Sequence, residues 1–363
     1  IGRHFGRCTL RRNNKDAKFP RRGIYEVPTL VLTDRGTFMN RLGISLALAL
    51  GLAPPLVATP RLKRIPGGSF EMGCAGCNLA DALPVHTVQI SPFLLMDAPV
   101  TNSEFAAFSS KNHYVTMAEQ PPSAVDYPSA PAHMLTAGSG VFTPPHSVPS
   151  MDNALDWWTY VAGASWQHPE GPRSDIKRLK DHPVVHIAYA DAETYCSGLG
   201  MRLPTEAEFE YAARGGLIGK KYAWGDALKP AGKWAANVWQ GKFPVENSAD
   251  DGYVGTSPVR AFSANGFGLY DMGGNVWQWT SDWYRPDYYQ EQAAQGKVVN
   301  PRGPTNSFDP QEPGVAKHVQ RGGSYLCSDR YCTRYLVGSR GKGAADSAGS
   351  NTGFRCAKDL KGS

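Results

Sequence analysis

Two cysteines, Cys327 and Cys332, are the residues of this 363-residue chain best suited to redox or metal chemistry. Cationic side chains close to a thiol lower its pKa and raise its thiolate fraction. Two thiolates with no histidine or carboxylate beside them form a soft donor set, which suits Cu(I) better than Zn²⁺ because zinc takes four ligands. A plain disulfide across a turn is the alternative interpretation. The arginines close to this pair in sequence are Arg321, Arg330, Arg334 and Arg340.

A second pair, Cys74 and Cys77, forms a C-x-x-C motif. The motif lacks the βαβ context of a thioredoxin-like site, and no second C-x-x-C lies nearby to complete a four-cysteine zinc site. We therefore expect a small loop disulfide, with metal binding or redox work as the alternative. Without Cys8 the chain has six cysteines, an even number that is typical of an oxidising compartment and leaves every pairing open.

Oxygen donors cluster in two stretches that are punctuated by glycine. One stretch runs from Asn237 to Tyr253 and includes Asp250 and Asp251, and the other runs from Asp271 to Gln278. Such stretches can wrap a Ca²⁺ ion with side-chain and backbone oxygens. Neither has the EF-hand spacing, and ordinary turn chemistry explains the Asp-Gly and Gly-Asn pairs equally well.

Short elements separated by turns must position these residues. Period-two patterning predicts strands, and capping residues predict helices, one of which begins with a capping box formed by Thr205 and Glu208. No convincing helix follows Asp226. The predicted strands cover residues 67–73, 86–90, 93–96 and 182–187, and the predicted helices cover residues 102–108, 191–198 and 205–214.

The composition fits a domain made mostly of turns and loops. The chain has 39 glycines and 28 prolines, and only 19% of its residues are charged while 11% are aromatic. These values exclude a disordered chain and a coiled coil, and the lack of any run of 18 apolar residues excludes a multi-span membrane protein. Residues 111–156 are rich in proline and are predicted to form an irregular surface insertion, with a disordered linker between two domains as the alternative. We expect a single α+β domain of low regular content over residues 59–363.

The first 58 residues differ from the rest of the chain. Residues 1–38 hold nine basic and three acidic residues and so carry the whole formal net charge of +6. Residues 39–58 begin with Met39 and contain one arginine, an apolar run and small residues, which predicts a secretory signal peptide, with a buried helix as the alternative. We expect residues 1–38 to be absent from the mature protein. The charge then gives no argument for nucleic-acid or membrane binding.

From about Pro66 to Asp359 the chain resembles the formylglycine-generating enzymes, also called sulfatase-modifying factors. The motifs that carry this resemblance are Gly67–Gly73, Ser165–Pro172, His182–Val184, Arg202–Glu208, Asn265–Met272, Gly322–Cys327 and Asn351–Cys356. The resemblance implies an irregular α+β fold related to C-type lectins, which also hosts non-enzymes and iron-dependent sulfoxide synthases. Members with other activities generally lack both thiols, so Cys327 and Cys332 favour an active-site pair over a structural disulfide.

The resemblance implies an oxidase that converts the cysteine of an unfolded sulfatase segment, Cys-x-Pro-x-Arg, to Cα-formylglycine with O₂. Cys327 and Cys332 would hold Cu(I) as thiolates, and the substrate thiolate would add as a third ligand. By the same implication, Ser324, Tyr331 and Trp277 line the oxygen pocket.

The resemblance further implies two structural calcium sites and a disulfide between Cys196 and Cys356. Gln278 stands where many members have glutamate, and Asp271 stands where some have asparagine; oxygen ligation remains possible at both. In the first site Val238 and Tyr253 would act through backbone carbonyls. The first ligand set is Asn237, Val238, Asp251 and Tyr253, and the second is Asp271, Gly274, Val276 and Gln278. Cys74 and Cys77 are not part of the family pattern.

These features together predict an exported monomer, periplasmic or secreted, with the ER lumen as the alternative compartment. Its expected partners are an unfolded sulfatase polypeptide and O₂, with no nucleic acid and no membrane once the signal peptide is removed. The alternative function is a ligand-binding or scaffold protein of the same fold, in which Cys327 and Cys332 form a structural disulfide.

Overall fold

The computed structural model describes residues 60–360, apart from residues 129, 149 and 152. The predicted upstream segment 1–38 and the predicted signal peptide 39–58 lie outside the described residues. Within the described part, strands and helices are short and are separated by long irregular runs, which is the α+β organisation of low regular content expected from the composition.

The strands are β1 (Leu62–Ile65), β2 (Gly68–Met72), β3 (His86–Ile90), β4 (Phe93–Met96), β5 (Gly138–Phe142), β6 (Trp158–Ala162), β7 (Trp277–Trp283), β8 (Val298–Val299), β9 (Lys317–Arg321), β10 (Gly341–Ala344), β11 (Thr352–Gly353) and β12 (Ala357–Asp359). The α-helices are α1 (Asn102–Asn112), α2 (Tyr189–Gly198), α3 (Glu206–Arg214) and α4 (Tyr288–Ala294). Single 3₁₀ turns lie at Ala80–Ala82, Met117–Glu119, Ala132–Met134, Ala154–Asp156 and Pro230–Gly232.

The described strands form four small sheets, with the strand orders β1-β4-β12, β10-β9-β7-β11, β2-β3-β8 and β5-β6. In the four-stranded sheet, β7 pairs antiparallel with β9 and parallel with β11, which sets Trp277 opposite Thr352 and Gln278 opposite Arg321. This sheet positions the candidate site, because Trp277 begins β7 and the chain enters the Cys327 region directly after β9.

Helix α3 is the centre of the core, and its capping box forms as predicted. The Thr205 hydroxyl accepts a hydrogen bond from the backbone N–H of Glu208, and the Glu208 carboxylate accepts one from the backbone N–H of Thr205, at 3.1 and 2.8 Å. The helix ends at Gly215, which takes the left-handed conformation with φ of 57°. Every residue of α3 is buried, so the helix carries its carboxylates into the interior.

Those buried carboxylates bind arginines that the sequence places near the cysteines. Arg321 donates to Glu206 at 2.9 Å and to Glu210 at 2.7 Å, and Arg340 donates to both oxygens of Glu206 at 2.7 and 3.0 Å. Both guanidinium groups are fully buried. Arg321 and Arg340, which were expected to act on the thiols, are therefore engaged in ion pairs with the carboxylates of α3.

Several predicted elements form, and three expectations are corrected. Strands β2, β3 and β4 match their predicted segments, and α1 extends to Asn112. The predicted strand 182–187 is wrong: only Pro183 makes a bridge, to Thr101, and His186 has a φ of 59°. Helix α4 was not expected after Asp226, and the predicted irregular insertion contains β5, which pairs with β6.

Candidate functional site

A double-glycine turn carries the chain from β9 into the loop that holds the two cysteines. Gly322 and Gly323 have φ values of 88° and 67°, which residues with a side chain rarely adopt. A Cβ at Gly323 would also lie 2.8 Å from the backbone nitrogen of Tyr335. The sequence Gly-Gly is therefore needed for the chain to turn and pack back on itself. We call the segment from Ser324 to Tyr335 the cysteine loop.

Cys327 and Cys332 are brought together and joined as a disulfide, with their Cα atoms 4.8 Å apart. Cys327 is 1% exposed, whereas Cys332 is partly exposed. Cys332 also has a φ of 54°, a left-handed conformation that is unusual for a cysteine and is found more often at functional sites than elsewhere. The loop thus presents one accessible and one buried sulfur at the same point.

Two of the predicted pocket residues, Ser324 and Trp277, lie at the base of the cysteine loop. Ser324 is fully buried, and its hydroxyl accepts hydrogen bonds from the backbone N–H of Leu326 and the side-chain amide of Asn351, at 3.3 and 3.1 Å. Both contacts use the hydroxyl oxygen as acceptor, so its proton remains free to be donated. Trp277 belongs to the same apolar cluster as both cysteines.

The third predicted pocket residue, Tyr331, packs into a neighbouring aromatic cluster. Its ring stacks on Phe243 with centroids 4.1 Å apart and meets Trp157 edge-on at 5.8 Å. Burial raises the pKa of the Tyr331 hydroxyl, so the tyrosine is a neutral hydrogen-bond donor at ordinary pH. Tyr331 therefore belongs to the cysteine loop, but its ring packs in a different cluster from the one that holds Trp277.

The first predicted calcium-ligand set comes together in one loop. The Asp251 carboxylate accepts hydrogen bonds from the backbone N–H groups of Val238 and Tyr253 at 3.0 and 2.9 Å. The side-chain amide of Gln240 donates both to Asp251, at 2.7 Å, and to the carbonyl of Val238. A carboxylate oxygen of Asp251 and the carbonyl oxygen of Val238, both in the predicted ligand set, thus accept from the same amide nitrogen of Gln240. Burial raises the pKa of Asp251, so a cation bound there would favour its ionised form.

The second predicted calcium-ligand set is arranged differently. Its residues share the turn that runs from Asp271 into β7. The side-chain oxygen of Gln278 accepts a hydrogen bond from Arg355 at 2.6 Å, and its side-chain nitrogen donates to the carbonyl of Asp271 at 2.8 Å. Arg355 also donates to that carbonyl at 3.0 Å. Gln278 is thus engaged at both ends of its amide, which does not fit a ligand role.

Asn275 and Trp239 support the site and were not predicted. The backbone of Asn275 donates to the carbonyl of Asn237 at 2.8 Å, and its own carbonyl accepts from Tyr325 at 2.9 Å. The backbone N–H of Trp239 donates to the carbonyl of Cys327 at 2.8 Å. Asn275 has a φ of 61°. The Gly-Gly-Asn sequence before β7 is typical of such a turn and could have pointed to this residue. Through these bonds the segment that contains Asn237 and Trp239 is tied to the cysteine loop.

The other cysteines form two further disulfides. Cys196 at the end of α2 is bonded to Cys356, which precedes β12, across 160 residues of sequence. Cys74 and Cys77 form the small loop disulfide expected from their spacing. His182 and His186 are each hydrogen-bonded, the first to the hydroxyl of Thr256 at 2.9 Å and the second to the carbonyl of Pro169 at 2.8 Å.

The donor set at the cysteine loop fits a soft monovalent ion rather than zinc. Across the described residues, no group of three or more histidine, cysteine or acidic side chains is arranged to hold a metal ion. Two adjacent sulfurs with no third ligand match the preference of Cu(I) for thiolates and leave room for a ligand from a substrate. The reduced form of the pair is required for this, because thiolates are the ligands.

A cavity of about 610 Å³ lies elsewhere. It is lined by polar and apolar side chains, which include Arg202, Glu193, Asp359 and Leu203. None of the predicted site residues lines it. Within the residues that the structure describes, no helix has both the length and the apolar character needed to cross a membrane.

Comparisons with known proteins agree with the geometry. Residues 53–360 match the family model described as "Sulfatase-modifying factor enzyme 1-like domain". The chain is 45% identical to a formylglycine-generating enzyme of Streptomyces coelicolor over 86% of this chain and 94% of that protein. It is 37% identical to a protein of Bos taurus named "Inactive C-alpha-formylglycine-generating enzyme 2", over 82% of this chain and 88% of the relative.

A solved structure supports the fold. PvdO from Pseudomonas aeruginosa superimposes with a TM-score of 0.55 at 23% identity, over 83% of this chain and 95% of that one. At this identity the likeness concerns the fold alone. Because relatives with activity and relatives named inactive both match, the choice between them depends on the residues of the site.

Proposed function

The chain belongs to the formylglycine-generating enzyme family, and from this premise we propose that it oxidises a sulfatase cysteine, in a Cys-x-Pro-x-Arg segment, to Cα-formylglycine. The observation that carries the proposal is the pairing of Cys327 with Cys332, one buried and one accessible, on a loop of fixed geometry. A scaffold protein of the same fold would have no need of an accessible sulfur in a left-handed backbone conformation.

We propose Cu(I) as the cofactor, held by the thiolates of Cys327 and Cys332, with the substrate thiolate as a third ligand. When bound, the ion would supply the activation of O₂. The protein's contribution is to hold the reacting sulfur in place, since the carbonyl of Cys327 is fixed by Trp239 and the loop is fixed by Asn275. Such preorganisation lowers the cost of bringing reactants together.

The proposed reaction balances with an external thiol as co-substrate. Oxidation of the substrate thiol to a thioaldehyde breaks one Cβ–H bond and one S–H bond and releases two electrons and two protons. Reduction of O₂ to two water molecules consumes four electrons and four protons, so external thiols supply the remaining two of each and become a disulfide. Water then adds to the thioaldehyde, and H₂S leaves as the aldehyde forms.

The neighbouring residues have distinct proposed roles. The buried hydroxyl of Ser324 is placed to donate its free proton to an oxygen species in the pocket. Trp277 excludes water from the sulfurs because its ring belongs to their apolar cluster. Tyr331 is a neutral donor at the border of the pocket, because its pKa is raised by burial.

We further propose one structural Ca²⁺ in the loop of Asn237, Val238, Asp251 and Tyr253. This ion would stabilise the loop that holds the carbonyl of Cys327 through Trp239. The residues of the second set fit less well, because the amide of Gln278 binds Arg355 and the carbonyl of Asp271. Three disulfides among the described residues also support the proposal that the protein works after export, in an oxidising compartment.

Peptide conversion tests the proposed function. The full chain is reduced, loaded with Cu(I) and incubated with a Cys-x-Pro-x-Arg peptide, O₂ and a thiol reductant. We expect the peptide to lose about 18 Da and to become reactive toward an aldehyde-specific hydrazide. The Cys332→Ser variant should give no conversion, whereas Ser307→Ala, a substitution outside the site, should leave conversion intact.

The alternative, a non-catalytic protein, predicts the opposite results. The copper-loaded protein would leave the peptide mass unchanged, and addition of Cu(I) would not alter its thermal stability. If reduced protein with one bound Cu(I) still fails to convert the peptide, the proposed activity is wrong and the protein groups with its inactive relatives.

A further inference from the structure

Cys74 and Cys77 belong to the same apolar cluster as Cys327 and Cys332. The two pairs lie about 250 residues apart in the sequence, so only the fold brings them together. Tyr335 and Leu336, which follow Cys332, are buried in this cluster with Cys77. The proposed function makes no use of the C-x-x-C pair, which is therefore an unassigned disulfide in the same cluster as the candidate active pair.

Specific contacts fix the segment Gly73–Ala82, which we call the C-x-x-C loop, against the chain that follows the cysteine loop. Arg340 donates to the carbonyl of Asp81 at 2.8 Å, and Arg334 makes an ion pair with the Asp81 carboxylate at 3.5 Å. The backbone of Gly338 approaches the carbonyl of Gly73 so closely that a side chain at Gly338 would collide with it. These contacts hold the C-x-x-C loop against the part of the chain that carries Arg334, Gly338 and Arg340.

In each of the two pairs, one cysteine is buried and the other is partly exposed. Cys77 and Cys327 are 8% and 1% exposed, whereas Cys74 and Cys332 are partly exposed. Ala75 is exposed at the tip of the C-x-x-C loop, so an external thiol can approach Cys74. Because access decides which sulfur is attacked in thiol–disulfide exchange, Cys74 and Cys332 are the more open to attack of the four sulfurs.

We propose that Cys74 and Cys77 form an internal dithiol relay that reduces the Cys327–Cys332 disulfide. The Cys74 thiolate attacks the sulfur of Cys332, and Cys327 leaves as a thiolate. The Cys77 thiolate then attacks Cys74 in the mixed disulfide, and Cys332 leaves as a thiolate. Two electrons pass from one pair to the other, and a low-molecular-weight thiol such as glutathione reduces the Cys74–Cys77 disulfide while becoming oxidised itself.

The relay deepens the proposed function, because the active pair must be reduced before it can bind Cu(I) or substrate. It also gives the protein a way to regenerate this pair in an oxidising compartment, where accidental disulfide formation is favoured. The relay reaction needs neither copper nor peptide, so it can be measured separately from the proposed activity.

Trapping of the mixed disulfide is the first test. The full-length Cys77→Ser/Cys327→Ser variant keeps only Cys74 and Cys332 of the two pairs. After mild oxidation we expect peptide mass spectrometry to show a Cys74–Cys332 cross-link. The matched Cys74→Ser/Cys327→Ser variant keeps the buried Cys77 and should give a cross-link to Cys332 in at most about a tenth of the molecules. An intact Cys196–Cys356 bridge and a native circular dichroism spectrum show that each variant is folded.

The rate of reduction is the second test. The oxidised wild-type protein and the Cys74→Ser/Cys77→Ser variant are treated with glutathione, quenched by alkylation, and analysed for free Cys327 and Cys332. We expect glutathione to reduce the Cys327–Cys332 disulfide at least about tenfold more slowly in the variant than in wild type. Equal rates, together with no Cys74–Cys332 cross-link, would overturn the relay.

The outcomes separate the relay from the proposed function. If both hold, Cys74→Ser/Cys77→Ser protein that has been chemically reduced in advance converts the peptide like reduced wild type, and loses this ability only when it starts oxidised. If the wild type never converts the peptide but the cross-link and the rate difference are present, the relay stands and the proposed activity fails.

Discussion

Asp251 is a partly buried carboxylate whose hydrogen bonds come from neutral donors. Backbone N–H groups of Val238 and Tyr253 and the amide of Gln240 surround it, and within the described chain no ion pair involves it. Burial raises its pKa, which means that its ionised form is poorly solvated. A bound Ca²⁺ would relieve this cost, which is why we place the structural ion at this loop and not at Gln278.

We expect Asp251→Ala to abolish the effect of calcium on stability. In wild type, removal of calcium with a chelator should lower the melting temperature, because an ion that binds only the folded state stabilises it. The Asp250→Ala variant is the matched control, since Asp250 is exposed and adjacent. Differential scanning calorimetry with and without Ca²⁺ measures the effect. A chelator shift of equal size in Asp251→Ala and wild type would contradict the site.

Asp282 has a buried carboxylate that is held at the start of α3. It accepts a hydrogen bond from the backbone N–H of Glu206 at 2.9 Å. Burial, and then the charge of Glu206, raise the pKa of Asp282 to about 7. Because the unfolded pKa is near 4, the folded state binds the proton more tightly. The stability from Asp282 is therefore fully present below about pH 4 and is lost as pH rises toward 7.

The Asp282→Asn variant should make the unfolding free energy less dependent on pH in this window. An amide cannot ionise, so the variant should gain stability relative to wild type between pH 4 and 8, on the order of 2 kcal/mol. Asp287→Asn is the control, because a hydrogen bond from Arg285 lowers the pKa of Asp287 and its contribution has the opposite sign. Urea unfolding at several pH values measures both; parallel curves for Asp282→Asn and wild type would refute the assignment.

At the scale of elements, α3 depends on its capping box. The Thr205 hydroxyl satisfies the backbone N–H of Glu208, one of the donors left free at a helix start. Thr205→Ala should lower the unfolding free energy by about 1 kcal/mol. Thr194→Ala, on the exposed face of α2, is the matched control and should change it by less than about 0.5 kcal/mol. Equal effects in urea titrations would show that the cap contributes nothing.

The elements that could be predicted from sequence are those with local causes. The capping box and the glycine stop define α3 within the segment itself, and alternation defines β3. The segment 182–187 also alternates, but its backbone partners lie in two separate places: Pro183 and Val184 pair with the adjacent residues Thr101 and Val100, whereas His186 bonds to Gly349. No local pattern encodes such partners, so the strand prediction failed for a tertiary reason.

The same limit applies to the site. Residue type and spacing single out Cys327 and Cys332, and the family resemblance favours them as an active pair, whereas the contacts of Arg321 and Arg340 depend on α3, more than 100 residues earlier. Asn275 and Trp239 act through backbone hydrogen bonds, which depend on conformation and not on side-chain type. These contributions become visible only when the loops are placed together.

At the scale of the whole molecule, the described strands form four small sheets and no single continuous sheet, so other contacts must hold these sheets together. The Cys196–Cys356 bridge links α2 to the strand β12, and both sulfurs are fully buried. Because the two cysteines are 160 residues apart, the bridge restricts a large part of the unfolded chain. The Cys74–Cys77 bridge spans only three residues and restricts little.

We therefore expect the long bridge to contribute much more to stability than the short one. The Cys196→Ala/Cys356→Ala variant should lose about 5 kcal/mol of unfolding free energy and Cys74→Ser/Cys77→Ser about 2 kcal/mol, because loop-closure entropy grows with loop length. Urea unfolding under oxidising conditions measures both variants. In excess dithiothreitol the difference between each variant and wild type should shrink, since wild type then unfolds without its bridges. Equal losses under oxidising conditions would mean that the long bridge does not hold the sheets together and that the packing around α3 alone does so.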